Sequence, residues 1–132
     1  MVQIKTRLRV LDNSGAKFAQ CINVLKKDNS KFVFVGDIIV VSVKKISLSR
    51  QIGLNFLKRY NVIKGGIYKS VLVQITREQK IKDNSFVRFP INSVVLIDEN
   101  NAIIGTRIKG FVSYSLRFTR WIKLLSLSKG AL

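Results

Sequence analysis

The sequence predicts a mainly β protein in which several short strands close into a small barrel. Segments with apolar residues at every second position alternate with clusters of Asp, Asn, Ser and Gly, a pattern typical of half-buried strands joined by turns. The longest uninterrupted apolar stretches have the length of a strand. No repeat or linker divides the chain, so residues 1–132 are predicted to form one domain. Closing twisted strands into a barrel removes their exposed edges, which favours a barrel over an open sheet.

The first half of the chain contains three predicted strands. The strands and turns follow one another as strand 2–10, turn 12–15, strand 17–25, charged turn 26–30, segment 31–34, turn 35–37 and strand 38–44. In the first strand, apolar residues alternate with three cations, Lys5, Arg7 and Arg9, which predicts a cationic outer face. The strand 38–44 is apolar on both faces where it begins, so we expect it to be covered on both sides.

Residues 45–64 break this regular pattern. The segment is too long for an ordinary hairpin loop and too apolar for plain disorder, and it carries cations throughout. We interpret it as an extended basic arm that becomes ordered on its partner. A free arm with so many apolar side chains would favour aggregation.

The second half returns to β structure and ends in a helical pattern. The predicted order is strand 67–75, polar connection 78–85, strand 86–89 ended by Pro90, strand 94–97, turn 98–101 and segment 103–108. In the C-terminal helical segment, residues 114–127, an apolar side and a cationic side recur at helical spacing. The apolar side comprises Phe118, Trp121, Ile122 and Leu125, and the cationic side comprises Arg117, Arg120 and Lys123. One helix or two short ones would press the apolar side on the barrel, with Trp121 as a packing anchor.

The net positive charge of the chain predicts a polyanionic partner. Lys and Arg number 24 against 7 Asp and Glu, which gives a formal net charge of +17, while 47% apolar residues are enough for a folded core. Self-repulsion of this size destabilises a compact state unless a polyanion balances it. Nucleic acid, an anionic membrane and an acidic protein are the candidates. Because no apolar stretch approaches the roughly 18 residues of a spanning helix, we expect no membrane partner.

The residue types argue against catalysis and metal binding. The chain has no His and one cysteine, Cys21, which excludes the commonest general base and a thiolate cluster. The apolar neighbours of Cys21 predict a small buried residue. Asp12, Asp37, Asp83 and Asp98 all occur in turn sequences, where Asp has a structural role. We therefore predict a protein that is not an enzyme and has no cofactor and no metal.

Several short motifs follow one another along the chain. The motifs are Asp-Asn-Ser-Gly-Ala-Lys at 12–17, Cys-Ile at 21–22, Val-Leu at 24–25, Val-Gly-Asp at 35–37, the strand 38–44, Arg-Phe at 88–89, the strand 94–97, Gly-Thr-Arg-Ile at 105–108, and then Gly110, Val112, Leu116, Arg117, Lys123 and Ser-Leu at 126–127. Each motif alone is common, but together they cover essentially the whole chain. In this order they resemble the family of the universal ribosomal protein fourteen of the large subunit.

The resemblance implies a five-stranded β-barrel with a projecting hairpin and short C-terminal α-helices. It implies a structural constituent of the large ribosomal subunit that binds large-subunit rRNA near the subunit interface and contributes to a bridge to small-subunit rRNA. Neighbouring large-subunit ribosomal proteins are implied as partners, and so is a silencing factor that blocks subunit joining.

The chain departs from the family pattern in places. The 45–64 insertion is longer than the family's loop by roughly ten positions, judged from the strand signals on either side. Pro90 and Ser93 replace an acidic residue and an alanine, and Phe111, Tyr114 and Ser115 stand where Pro, Arg and Glu are typical. Frequent Ile, Asn, Lys and Phe, and a strand pattern that begins at the N-terminus, suggest an AT-rich organellar genome. We expect a mitochondrial ribosome in the matrix rather than a plastid or bacterial cytoplasmic one.

Two sets of residues are candidates for contacts with RNA. The RNA-binding set is Lys5, Arg7, Arg9, Lys17, Lys44, Lys45, Arg50, Lys58, Arg59 and Arg88. Within it, Lys17 rests on the resemblance, and a face that only meets water explains Lys5, Arg7 and Arg9 equally well. For Arg88 the alternative is a strand-face cation with no further role. The set for the intersubunit face is Thr106, Arg107 and Lys123, which match family positions, with Arg117 and Arg120 in support.

Two other functions are alternatives to a structural role in the ribosome. A free-standing barrel that binds single-stranded nucleic acid would use exposed aromatic residues as stacking platforms. The eight Phe mostly occupy positions of apolar parity, which favours burial instead. A nuclease or other basic enzyme would need a carboxylate metal site, and the Asp residues in turn sequences do not indicate one.

Overall fold

Five strands hydrogen-bond to one another in a closed ring. The computed structural model describes residues 2–25, 32–47 and 62–132. The ring follows the order β1-β2-β3-β4-β7, in which β1 and β7 run parallel and the other neighbours run antiparallel. The barrel strands are β1 (Arg7–Val10), β2 (Ala16–Val24), β3 (Ile38–Ile46), β4 (Ile67–Gln74) and β7 (Ser93–Ile97). This architecture confirms the predicted mainly β fold and the five-stranded barrel.

Four short strands and two short helices lie outside the five-stranded ring. Two small sheets pair β5 (Gln79–Lys80) with β6 (Phe86–Val87), and β8 (Phe111–Val112) with β9 (Gly130–Ala131). Between β8 and β9 lie a 3-10 helix, Tyr114–Phe118, and one α-helix, α1 (Ile122–Leu127). The predicted helical segment 114–127 therefore exists as two short helices of different kinds.

Apolar side chains form two cores, one inside the barrel and one outside it. The interior is filled from β1, β2, β3, β4 and β7, for example by Leu8, Val41 and Leu96. The second core lies where the outer faces of β4 and β7 meet the C-terminal segment, and it includes Val73 and Leu116. All five residues of β7 are buried because both of its faces are covered.

The N-terminal strand is shorter than the alternation predicts. It begins at Arg7, because Lys5 adopts φ 71° in a turn and so ends the extended conformation. Ile4 is exposed, contrary to its parity, and Lys5 belongs to this turn rather than to the cationic strand face. Val2 is buried and forms an isolated bridge with Val33.

Two other regions differ from the sequence prediction. The segment 103–108 is not a strand and makes only isolated bridges, from Ile103 to Ile97 and from Ile108 to Asp12. The strand β3 continues through Ile46, so the barrel includes the first residues of the predicted arm, and Val62 packs against the interior core near its end. The charged turn 26–30 and arm residues 48–61, which include Arg50, Lys58 and Arg59, lie outside the described residues.

The C-terminal segment buries a different set of apolar side chains from the one predicted. Phe118 is 64% exposed and Ile122 is also exposed, while Leu116 and Leu124 are fully buried. The cause is the extended conformation of Thr119, at φ −110° and ψ 170°, which separates the two helices and breaks the helical period. Trp121 is a packing anchor as predicted: it is 6% exposed, and its Nε1 donates a hydrogen bond to the Gly36 carbonyl oxygen at 3.1 Å.

Candidate nucleic-acid interface

Bulges in two neighbouring strands bring cations to the outer surface of the barrel. Ala16 pairs with Ile46 and Phe18 pairs with Lys45, so Lys17 is an extra residue in β2. The next pair joins Ala19 to Val43, so Lys44 is an extra residue in β3. A bulge interrupts the alternation of faces, and both Lys17–Phe18 and Lys44–Lys45 are consecutive exposed pairs.

The strand register places two further predicted cations in one row. Arg9 pairs with Phe18, and Phe18 pairs with Lys45, so an exposed aromatic ring stands between two exposed cations on adjacent strands. Neighbouring strands lie about 4.8 Å apart, which puts Arg9 and Lys45 about 10 Å apart at the backbone. We call Arg7, Arg9, Lys17, Lys44 and Lys45, with Phe18, the open barrel face. Phe18 is not among the residues predicted from the sequence to bind RNA. Its position beside Lys17 within an alternating strand is the signal that could have identified it.

The first turn links the open barrel face to the predicted intersubunit residues. The Asn13 side chain accepts a hydrogen bond from the Thr106 backbone N–H and donates one to the Thr106 Oγ1, each at 2.8 Å. The Asn13 backbone N–H donates to the Arg107 carbonyl oxygen at 3.2 Å. A Cβ at Gly105 would lie 2.8 Å from the Asp12 Cβ, so only glycine allows this approach. On the other side of the turn, the Ser47 N–H donates to the Gly15 carbonyl oxygen at 2.8 Å.

Asp12 holds the turn from within. Its carboxylate is buried and accepts hydrogen bonds from the Leu96 N–H at 2.9 Å, from the Ser14 N–H at 3.1 Å and from the Ser14 hydroxyl. Asp37 and Asp98 accept hydrogen bonds from the backbone N–H groups of Phe34 and Glu99. These contacts give three of the four turn aspartates the predicted structural role.

The three C-terminal cations are exposed, and two of them lie over aromatic rings. The Arg117 Cζ is 5.7 Å from the Tyr114 ring centroid, and the Arg120 Cζ is 5.7 Å from that of Trp121. Lys123 projects from α1 into solvent. Thr106 and Arg107 are exposed on the loop that Asn13 fixes.

Arg88 lies outside the row of paired residues on β1, β2 and β3. It follows β6 rather than belonging to it, and it lines an open groove of about 520 Å³ together with Thr76, Arg77, Glu78 and Phe86. The proposal of a strand-face cation at this position is therefore wrong. Arg77 is a second cation in this groove, and it is not among the residues predicted from the sequence to bind RNA.

The expected burial of the phenylalanines is wrong. Of the seven Phe in the part of the chain that the structure describes, only Phe89 is buried. The six exposed ones are Phe18, Phe32, Phe34, Phe86, Phe111 and Phe118. The bulge at Lys17 accounts for Phe18, and the break at Thr119 accounts for Phe118. Exposed aromatic rings among cations suit contact with nucleic-acid bases.

The described residues offer little for other chemistry. Cys21 is buried as predicted, and burial raises the pKa of its thiol. Within residues 2–25, 32–47 and 62–132, no group of three or more Cys, Asp and Glu is placed to hold a metal ion. The described helices are all too short or too polar to cross a membrane.

The sequence as a whole matches a known family. The model of the family described as ribosomal protein L14p/L23e matches residues 1–132. The chain belongs to this family. Membership implies a structural, non-enzymatic constituent of the large ribosomal subunit, located in the ribosome, with ribosomal RNA and other large-subunit proteins as binding partners. This result supports the resemblance drawn from the short motifs.

Proposed function

We propose that this L14p/L23e family protein binds large-subunit rRNA through the open barrel face. The observation that supports the proposal is the pair of bulges that exposes Lys17, Lys44 and Lys45 beside Arg9 on adjacent strands. Lys and Arg side chains held by a rigid sheet can displace the counterions condensed on an RNA backbone. Because A-form RNA hides its major groove, recognition would rely on phosphates, 2′-hydroxyls and unpaired bases.

Neutralising two cations of the open barrel face tests this proposal. The Arg9→Ala/Lys45→Ala double variant is compared with Lys109→Ala/Lys129→Ala, which removes the same charge from exposed positions elsewhere. Binding to protein-free large-subunit rRNA is measured over a range of salt concentrations. The plot of log K against log salt has a negative slope, and each lost phosphate contact reduces the magnitude of that slope by about 1. We therefore expect the Arg9→Ala/Lys45→Ala variant to reduce it by about 2. Equal slopes for both double variants would contradict the assignment.

We further propose that Thr106 and Arg107, with Arg117, Arg120 and Lys123, face the small subunit and contribute to an intersubunit bridge. The hydrogen bonds from Asn13 support this, because they fix the loop that carries Thr106 and Arg107. A preorganised loop loses little conformational entropy when it binds. A silencing factor that blocks subunit joining would compete for the same residues.

Charge reversal tests the bridge. The triple variant Arg107→Glu/Arg120→Glu/Lys123→Glu should fold and enter large subunits but lower the fraction of joined ribosomes in sedimentation. The control triple variant Lys64→Glu/Lys80→Glu/Lys129→Glu has the same net charge with exposed substitutions elsewhere. Normal sedimentation of joined ribosomes with the first triple variant would count against the bridge.

We also propose that the protein works in a mitochondrial ribosome. The composition of the chain, rich in Ile, Asn, Lys and Phe, supports an organellar genome. Sucrose-gradient fractions of lysed, purified mitochondria should contain the protein in the large-subunit peak. Its presence only in cytosolic or plastid ribosomes would contradict the proposal.

The exposed aromatics keep one alternative open to test, a free-standing barrel that binds single-stranded nucleic acid. Such a protein would remain in the light fractions of a gradient at moderate salt. A ribosomal protein sediments with the large subunit.

A further inference from the structure

A cluster of cations and aromatic rings lies on the C-terminal side of the barrel, and it shares only Arg117 with the residue sets proposed from the sequence. The Lys82 ammonium nitrogen is 4.6 Å from the centroid of the Phe118 ring. Phe118 meets Tyr114 edge to face, with centroids 5.9 Å apart and an interplanar angle of 76°. Arg117 donates a hydrogen bond from Nη1 to the Tyr114 hydroxyl at 3.2 Å. We call Lys82, Tyr114, Arg117 and Phe118 the aromatic cluster.

Two segments distant in sequence build the aromatic cluster. Lys82 comes from the connection between β5 and β6, and the other three residues come from the 3-10 helix. The Ser113 hydroxyl donates a hydrogen bond to the Gln79 Oε1 at 2.7 Å, which ties β5 to the start of that helix. The cluster is therefore held at more than one point rather than formed by a single mobile side chain.

The Phe118 ring is accessible although neighbours surround it. The residue is 64% exposed, while Leu116 and Leu124 on the same segment carry the packing against the barrel. Phe118 contributes little to the core, so its exposure does not follow from a role in folding. An exposed aromatic ring beside cations suits stacking with a nucleic-acid base.

We propose that Phe118 is a stacking platform for an unpaired base of large-subunit rRNA, with Lys82 placed to reach an adjoining phosphate. This inference rests on the proposed rRNA binding and extends it to a site outside the open barrel face. Proteins that bind single-stranded nucleic acid combine cations along the backbone with aromatic rings on which bases stack. The centres of protein–protein interfaces are depleted of Lys and of charge, whereas an ammonium group lies 4.6 Å from the centroid of this ring.

Four substitutions at and near the ring separate stacking from other contacts. Phe118→Ala removes the ring, Phe118→Leu keeps apolar volume without a π face, and Phe118→Trp keeps the π face. Ile122→Ala is the control, because Ile122 is an exposed apolar residue on the neighbouring helix. All of these side chains are exposed, so the variants should keep the thermal stability of the unsubstituted protein.

Affinity for protein-free large-subunit rRNA is the first measurement. Loss of one stacked base weakens binding by about 5- to 150-fold, and we expect this for both Phe118→Ala and Phe118→Leu. Phe118→Trp and Ile122→Ala should stay within about twofold of the unsubstituted protein. If Phe118→Leu binds normally while Phe118→Ala does not, the site works by apolar contact, as a protein-docking surface would, and the inference is wrong. If Phe118→Ala also binds normally, the ring does not contact the RNA, and the inference is wrong as well.

Ultraviolet crosslinking in assembled large subunits is the second measurement. A reverse-transcription stop that disappears with Phe118→Ala should map to a nucleotide in a loop, bulge or single-stranded end. A stop within continuous duplex would overturn the inference. Failure of the unsubstituted protein to bind the rRNA at all would instead overturn the proposed function on which the inference rests, so the two failures can be told apart.

Discussion

The two sides of the barrel wall differ in what covers them. The outer faces of β4 and β7 lie under the C-terminal segment, and β7 is buried along its whole length. The outer faces of β1, β2 and β3 carry exposed cations. A strand covered on both sides cannot carry charges, because burying an unpaired charge is costly. The difference teaches that the barrel wall keeps exposed cations where the C-terminal segment does not pack on it.

The largest expected effect is on the covered side. Leu124→Ala removes a fully buried side chain from the core between the barrel and the C-terminal segment, and it should lower the free energy of unfolding by about 2–5 kcal/mol. Ile122→Ala, two residues away and exposed, should change it by less than about 0.5 kcal/mol. Denaturant unfolding of both variants measures the difference. Equal losses would show that α1 does not pack as described.

The turn between the two sides should respond next. Asp12→Ala leaves the buried Leu96 N–H without its hydrogen-bond acceptor, at a cost of about 1–3 kcal/mol in the free energy of unfolding. Asp98→Ala is the control, because Asp98 accepts a hydrogen bond from the Glu99 N–H in an exposed turn. Thermal unfolding should place the Asp98 variant close to the unsubstituted protein. A loss as large in the control as in Asp12→Ala would refute the special role of the buried carboxylate.

On the open side, loss of a cation should hardly affect folding. Arg9→Ala removes one exposed charge from a chain of net charge +17, so the free energy of unfolding should stay within about 0.5 kcal/mol or rise slightly as self-repulsion falls. Denaturant unfolding at low salt is the measurement. A loss above 2 kcal/mol would mean that Arg9 stabilises the fold. The covered and the exposed sides of the barrel would then not differ in the way described.

The smallest effect concerns Cys21 inside the barrel. Burial raises the pKa of the Cys21 thiol above its usual value of 9.0, because desolvation disfavours the thiolate. The native state therefore holds this proton more tightly than the unfolded state, so the contribution of Cys21 to stability is present below pH 9.0 and declines as the pH rises above it. Alkylation of the native protein near neutral pH should be slow and should become fast on unfolding. Rapid alkylation of the folded protein would contradict the burial.

Sequence patterns predicted the barrel well and its surface less well. The alternation in 17–25 and the doubly apolar start of 38–44 identify β2 and β3 within two residues at each end. Alternation cannot reveal bulges, however, because an extra residue shifts every later side chain to the other face. The bulge at Lys17 leaves both Lys17 and Phe18 exposed, which strict alternation does not predict. In the same way, the break at Thr119 depends on tertiary packing, and helical spacing alone placed Phe118 on the wrong side.

Contacts between the candidate site residues could likewise be predicted only in part from the sequence. The motif at 12–17 and Gly-Thr-Arg-Ile at 105–108 lie on two loops that contact each other, and their hydrogen bonds through Asn13 became visible only in three dimensions. The contact between Lys82 and Phe118 joins segments that no local pattern relates. Such juxtapositions depend on the fold as a whole, so residues like Phe118 and Arg77 are missed from sequence.

Sedimentation of the native protein tests the central claim most directly, namely that ribosomal RNA balances the excess charge that the barrel holds at fixed positions. In a sucrose gradient of the source's lysate at moderate salt, the protein should sediment with the large subunit and should leave it as salt rises, because counterion release drives the binding. A stable protein found only in the light fractions, and absent from large subunits, would contradict the claim.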